Sequence, residues 1–174
     1  YKSSSFNMIV SLIAAVPANG AIGKDNKLIW DLPKDMKFFM DSTMNHNIIM
    51  GRKNFESIPK KYRPLRNRTN IIVTRNTNYK AENCHVTHSI QAAIDIANQN
   101  NESECFIIGG GEIYRQSLEI GVVDRMYITH IKSSFEGDTF FPKVDWTKWK
   151  KRNLFSHLSD SENQHDFDVV CYEK

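Results

Sequence analysis

The chain has 174 residues, 23 basic against 20 acidic side chains for a formal net charge of +3, and a composition that is 40% hydrophobic and 25% charged. These are the proportions of a folded protein of one-domain size, able to bury about two thirds of its unfolded surface without disulfide staples, and they argue against disorder. The mild positive balance gives no reason to expect a nucleic-acid partner, no run nears the ~20 apolar residues of a membrane span, and three cysteines without a CxxC (Cys84, Cys105, Cys171) fit a reducing, cytoplasmic setting.

Residues 1–7 (YKSSSFN) are polar and read as an N-terminal extension or cloning remnant, leaving 8–174 as a single domain. Residues 8–16 (MIVSLIAAV) are almost all apolar, the pattern of a strand buried on both faces of a parallel sheet. Residues 17–31 form a long loop with Gly20, Gly23 and a turn signal at Lys24-Asp25-Asn26. Pro33 opens a helix where its missing N–H is harmless, and Met36, Phe39, Met40 and Met44 recur at helical spacing as a buried stripe. Residues 47–50 are a short strand, followed by Gly51-Arg52-Lys53 and a second helix that Pro59 ends. Residues 69–74 are a β-branched strand. Ser89 caps a helix presenting Ile90, Ala93, Ile94 and Ala97 on one face. Residues 104–108 are a strand running into three glycines, with a helix over 112–118. A further strand spans 125–131, and segments at 153–158 and 167–173 pair as an antiparallel edge. Strands alternating with helices predict an α/β fold with a mainly parallel central sheet flanked by helices.

Asp35 lies in a first helical turn, with Met36 and Phe38 beside it and Phe39 one turn on, so its carboxylate faces apolar surface. A first-turn aspartate also suits the helix dipole. An acid against apolar side chains needs a partner or a raised pKa, and such acids gather in functional clefts. Taken alone, the residue does not decide between the two. Residues 106–114 read strand, Gly109-Gly110-Gly111, helix, a place where backbone N–H groups suit a phosphate. The spacing is not GxGxxG and there is no P-loop lysine, so a plain tight turn explains it equally. Two more strand ends deliver cations, Arg52-Lys53 and Thr74-Arg75. Ligands of open α/β sheets sit at such carboxyl ends, so these residues make a site for a multiply charged phosphate ligand. Arginines beyond a pyrophosphate cradle favour a 2′-phosphate, hence NADP over NAD; scattered surface charge is the alternative. The six histidines form no HExxH or obvious ligand pair, so no metal is expected. The densest basic stretch, residues 60–68, reads on charge alone as a solvated loop.

In order and spacing these segments resemble the dihydrofolate reductase family over residues 8–174. The resemblance is carried by Ala21-Ile22-Gly23, Trp30-Asp31-Leu32-Pro33-Lys34-Asp35, Ile49-Met50-Gly51-Arg52-Lys53, Arg63-Pro64-Leu65, the turn from Ile108 to Tyr114, Tyr127-Ile128-Thr129 and Phe135-Glu136-Gly137-Asp138-Thr139-Phe140-Phe141-Pro142. It implies NADPH-dependent reduction of 7,8-dihydrofolate to 5,6,7,8-tetrahydrofolate for one-carbon metabolism, with hydride reaching C6 and a proton reaching N5. It implies a catalytic group in which Asp35 holds the pterin amino group and ring nitrogen, Thr129 supports it, Trp30 holds a water, and Leu28 belongs to a loop that closes over the nicotinamide. On the substrate side it implies backbone carbonyls from Ile13 and Ile108, a channel of Phe39, Ile58 and Leu65 with Tyr114 nearby, and Arg68 on the α-carboxylate of the glutamate tail. On the cofactor side it implies Ala15, Ile22 and Gly23 at the nicotinamide. Lys53, Asn54, Gly109, Gly110, Gly111, Glu112, Ile113 and Tyr114 would stand at the pyrophosphate, and Arg52, Thr74 and Arg75 around the 2′-phosphate. A monomer without a fused partner enzyme is implied too. The chain departs from the commonest pattern at Ile29 (usually proline), Leu28 (often methionine), Asn54 (usually threonine) and Arg66-Asn67 (frequently Pro-Gly). A pyrimidine reductase of riboflavin synthesis would share the glycine turn but has no need of Trp30 to Asp35 with Arg68. A silent folate- or nucleotide-binding protein is the other reading, though no essential group is missing.

Overall fold

The structure, a computed structural model, describes residues 7–174; residues 1–6, most of the expected N-terminal extension, lie outside the described residues. In chain order the elements are β1 (Ile9–Pro17), β2 (Ala21–Gly23), α1 (Pro33–Thr43), β3 (Asn47–Gly51), α2 (Arg52–Ser57), β4 (Thr69–Val73), β5 (His85–Thr87), α3 (Ile90–Gln99), β6 (Glu104–Gly109), α4 (Gly111–Glu119), β7 (Arg125–Ile131), β8 (Thr139–Phe140), β9 (Lys150–His157) and β10 (Phe167–Glu173). Eight strands form one sheet in the order β5-β4-β3-β6-β1-β7-β10-β9. The pairs from β5 across to β7 are parallel, and β10 runs antiparallel to both β7 and β9. The expected α/β sheet with an antiparallel C-terminal edge is therefore present. β2 and β8 form a separate antiparallel ribbon.

Side chains alternate across the pleat, so each central strand feeds two cores. Leu12, Ile49, Ile71 and Ile107 pack with Ile90, Ala93, Ile94 and Ala97 of α3 on one face. Ile13, Ile48, Ile72 and Phe106 pack with Phe55 of α2 on the other, where Phe38 and Phe39 of α1 join them. Because both faces are covered, these strands are apolar throughout. Ile48, Ile49, Ile71, Ile72 and Ile107 are wholly buried, and burial of each such side chain contributes about 1.5–3 kcal/mol. Ser89 caps α3 by accepting from the Ala92 N–H at 3.0 Å. Leu32, at the N-cap of α1, has no side-chain acceptor to offer; the Lys34 N–H donates instead to Asn163 Oδ1 at 3.0 Å. The β9–β10 connection thus seats the helix that carries Asp35.

The expected buried stripe on α1 is not there. Met36 is 46% and Met40 41% exposed, and Thr43 is the buried residue of the helix. Their spacing marks an apolar face, but that face forms the wall of a cleft rather than part of the core. The expected loop over 17–31 also contains β2, which a distant partner strand holds. No helix among the described residues is long and apolar enough to cross a membrane, and none of their His, Cys, Asp and Glu side chains cluster to hold a metal ion.

Candidate active site

At the carboxyl ends of the parallel strands lies a cleft of about 1840 Å³. That exceeds the roughly 300–1,000 Å³ of a pocket for one small ligand. Its walls come from both halves of the sheet, and every residue proposed from sequence except Gly109 lines it.

In the first turn of α1, Asp35 faces the cleft and accepts a hydrogen bond from Thr129 Oγ1 at 2.5 Å. Burial pushes its carboxyl above the usual carboxylate range, and the Thr129 bond opposes that only in part. Trp30, on the wall of the same cleft, is buried, with its ring centroid 5.5 Å from that of Phe135. The Tyr114 hydroxyl stands 2.8 Å from the carbonyl oxygens of both Ile13 and Ile108. Burial, with a smaller contribution from the Asp35 charge, holds the Tyr114 pKa far above its ordinary value. The phenol therefore stays a donor, and the two carbonyls that flank Asp35's cleft are fixed by one hydroxyl.

Gly109 is buried behind the wall rather than on it. Its φ is +116°, and a Cβ there would lie 3.0 Å from the Tyr114 ring. The glycine makes room for Tyr114, and the surface of the turn begins at Gly110.

The other half of the cleft collects cations and N–H groups. The β3 end supplies Arg52, Lys53 and Asn54, the β4 end Thr74 and Arg75, and the start of α4 supplies Gly110, Gly111, Glu112 and Ile113. Arg52 is paired with Glu56 at 2.9 Å, whereas Arg75 has no acidic partner among the described residues. The Glu112 carboxylate is held by Arg115 and Gln116, which bring its pKa to about 2. That side chain is committed, so what Glu112 offers a ligand is its backbone N–H. His88, which sequence reasoning passed over, also lines this end. Its Nδ1 lies 2.8 Å from the Thr74 carbonyl oxygen, so Nδ1–H donates and Nε2 is left available. The signal for it was its place just past β5, a third parallel strand end beside Arg52 and Arg75.

Ile13, Ala15, Phe39, Ile58, Leu65 and Ile108 line the apolar part, and Met36, Phe38 and Met40 join them. Arg68 closes this end. Its Nε donates to the Arg66 carbonyl at 2.9 Å and Nη1 to Thr43 Oγ1 at 3.2 Å, and it has no carboxylate partner among the described residues. Over the opposite end, Asp25 and Asn26, with φ of 52° and 60°, make a tight turn between Lys24 and Lys27. From that turn Asn26 Nδ2 reaches across to the Lys53 carbonyl at 3.2 Å. Ile22 and Gly23 lie under the turn on the wall, and Leu28 is 55% exposed at the rim.

Comparison with known proteins gives one answer. A family model described as dihydrofolate reductase matches residues 9–174. The chain is 42% identical over 166 residues to dihydrofolate reductase of Bacillus subtilis, covering 95% of each protein. It is 41% identical over 165 residues to that of Staphylococcus haemolyticus, again covering 95% of each. Among solved structures it is similar to dihydrofolate reductase from Enterococcus faecalis complexed with NADP(H) and RAB-propyl, with a TM-score of 0.86, 36% identity and 97% of each chain covered. With an acid facing one half of the cleft, cations and backbone N–H groups facing the other and the match running the length of the fold, the chain belongs to the dihydrofolate reductase family.

Proposed function

We propose that the chain reduces dihydrofolate to tetrahydrofolate with NADPH, binding the pterin against Asp35 and the dinucleotide against the strand ends. The donor set fits that cofactor. The N–H groups of Gly110 to Ile113 open helix α4 and suit a pyrophosphate. Arg75, Thr74, His88 and Arg52 suit a further phosphate on the adenosine, the feature that separates NADPH from NADH. When bound, NADPH supplies the hydride, and no protein nucleophile is needed.

The remaining work belongs to the chain. Asp35 grips the amino group and adjacent ring nitrogen of the pterin, and its negative field favours the protonated ring. Thr129 keeps that carboxylate aimed. Ile13 and Ile108 present carbonyls to the amino group, held in line by Tyr114. Phe39, Ile58 and Leu65 bracket the flat ring and its linker, and Arg68 takes a tail carboxylate. The Asn26 turn closes the nicotinamide end against bulk water.

The observation that carries this reading is the half-buried, Thr129-bound acid in the same cleft as three strand ends that bear cations and backbone N–H groups. Mixing the protein with dihydrofolate and NADPH and following the loss of reduced-nicotinamide absorbance tests it. Turnover that needs both compounds and collapses in Asp35→Asn is expected; no turnover overturns the reading. The continuous sheet supports treating 8–174 as one domain, and the family resemblance supports a monomer working in the cytoplasm, the first of which light scattering checks.

A further inference from the structure

The chain holds six methionines and three cysteines, and the fold exposes their sulfur-bearing side chains unequally. Met50 and Met126 are wholly buried, and Met8 and Met44 are half-buried. Cys105 and Cys171 are buried as well, and burial pushes the Cys105 thiol up to about 12. The half-buried Cys84 donates its thiol to the Glu82 carbonyl at 3.4 Å, and burial raises its pKa too, so it forms little of the reactive thiolate. Met36 and Met40 differ from all of these, at 46% and 41% exposed.

The two share one helix face. They stand four residues apart in α1, where i and i+4 side chains lie one above the other. Both line the cleft that Asp35, Phe39, Ile58 and Leu65 also line. Neither joins the hydrophobic cluster in which Phe38 and Phe39 of the same helix pack. They are thus the thioethers that a small oxidant in solvent meets first, and they stand on the wall that the proposed function gives to the substrate.

We propose that Met36 and Met40 are a reversible oxidation site, with hydrogen peroxide as the oxidant, and that their oxidation weakens substrate binding in the cleft. The inference rests on the reading of the cleft given above. In each step the peroxide O–O bond breaks and a sulfur–oxygen bond forms. The thioether is oxidised to the sulfoxide, the peroxide is reduced, and its second oxygen leaves as water. A flexible apolar side chain becomes a polar one. Because neither methionine packs in the core, the added oxygen costs the fold little and falls on the surface that receives a flat, largely apolar ligand.

The test is graded treatment with hydrogen peroxide, then dithiothreitol to return any oxidised thiol, with peptide mass mapping and steady-state kinetics at each dose. Met36 and Met40 are expected to gain oxygen before Met50 and Met126. The KM for dihydrofolate then rises about three- to ten-fold while that for NADPH holds, and methionine sulfoxide reductase restores it. The double variant Met36→Leu with Met40→Leu, judged against its own untreated kinetics, keeps its KM through the same doses. Met36→Gln with Met40→Gln shows a raised KM without peroxide. Earlier oxidation of Met50 or Met126, an unmoved KM in protein oxidised at both residues, or a leucine variant that loses as much as wild type overturns the proposal. Absence of turnover before any treatment overturns instead the function on which it rests, and the order of oxidation still decides the site.

Discussion

Thr129 donates its hydroxyl to Asp35 across 2.5 Å, tying strand β7 to the first turn of helix α1 over a sequence separation of 94. Burial raises the folded Asp35 pKa above that of the unfolded chain. The folded state therefore holds the proton more tightly than the unfolded state. This contribution to stability is complete below the unfolded value of about 3.9 and is lost as pH rises through the folded pKa. At neutral pH the ionised acid thus weakens the unliganded fold. Asp35→Asn is expected to stabilise the protein by about 0.5–2 kcal/mol near pH 7, with about 2–4 °C in Tm for each kcal/mol. The same change is expected to lower the reduction rate about a hundred-fold or more. Calorimetry at pH 4 and pH 7 checks the first effect, since the gain disappears at the lower pH; turnover assays check the second.

Tyr114→Phe removes one oxygen and leaves the carbonyls of Ile13 and Ile108 without their common donor. The ring still fills the space beside Gly109 and Phe141. Stability is expected to fall by about 1–3 kcal/mol, the penalty for stranding buried acceptors. Urea denaturation measures this. The KM for dihydrofolate rises as well, while the KM for NADPH moves less.

Arg75 and His88 line the end of the cleft that the proposed function gives to the cofactor, and neither is paired with an acid among the described residues. Replacing Arg75 by Gln is expected to raise the KM for NADPH about ten- to a hundred-fold, the effect of a lost charge-assisted hydrogen bond of about 1.5–3 kcal/mol. His88→Ala acts in the same direction but more weakly. Neither change raises the KM for NADH, which has no 2′-phosphate. The ratio of the two KM values is the readout, and equal losses for both cofactors would place these residues elsewhere in recognition.

Glu102 is a structural counterpart at the opposite, amino ends of the central strands β3 and β6. Its carboxylate accepts from the Asn47 backbone at 2.5 Å, the Asn47 side chain at 2.8 Å and the Ser103 backbone at 3.0 Å, and His46 Nδ1 lies 3.0 Å away. Burial pushes its pKa up, but the bonds from Asn47 and His46 outweigh that and hold it below the usual value. A depressed carboxylate stabilises the fold above the unfolded pKa of about 4.3 and loses that contribution as pH falls through the folded value. Glu102→Gln is expected to cost about 1–3 kcal/mol at pH 7 and to flatten the acid side of the stability profile. Denaturant midpoints between pH 3 and 7 test both.

The central strands were legible because they are buried on both faces. A run such as Ile-Val-Ser-Leu-Ile-Ala-Ala-Val needs no partner to be read. The cationic end of the cleft was legible for a related reason: Gly110, Arg52 and Arg75 each stand one or two residues past a parallel strand. The methionines of α1 were harder, since helical spacing shows that a face is apolar without showing whether protein or ligand covers it. The β2–β8 ribbon left no periodic trace, being three residues against two and set by contacts more than a hundred positions apart. His88 and Arg66 look like ordinary surface residues until the fold brings them to the cleft, and Gly109 reads as a ligand contact until Tyr114 is seen occupying the space a side chain would need.

The ribbon has a wider meaning for how this enzyme keeps time. Gly23 accepts from the Asp138 N–H at 3.0 Å, Asp138 accepts from the Asp25 N–H at 3.0 Å, and Lys24 pairs with Glu136. A side chain at Gly137 would press within 2.8 Å of the Gly23 carbonyl. The turn that the proposed function sets over the nicotinamide is thus tied to residues 136–138, which form no part of the cleft wall. Drift in that remote stretch can retune the cadence of opening and product escape while every ligand contact stays as it was.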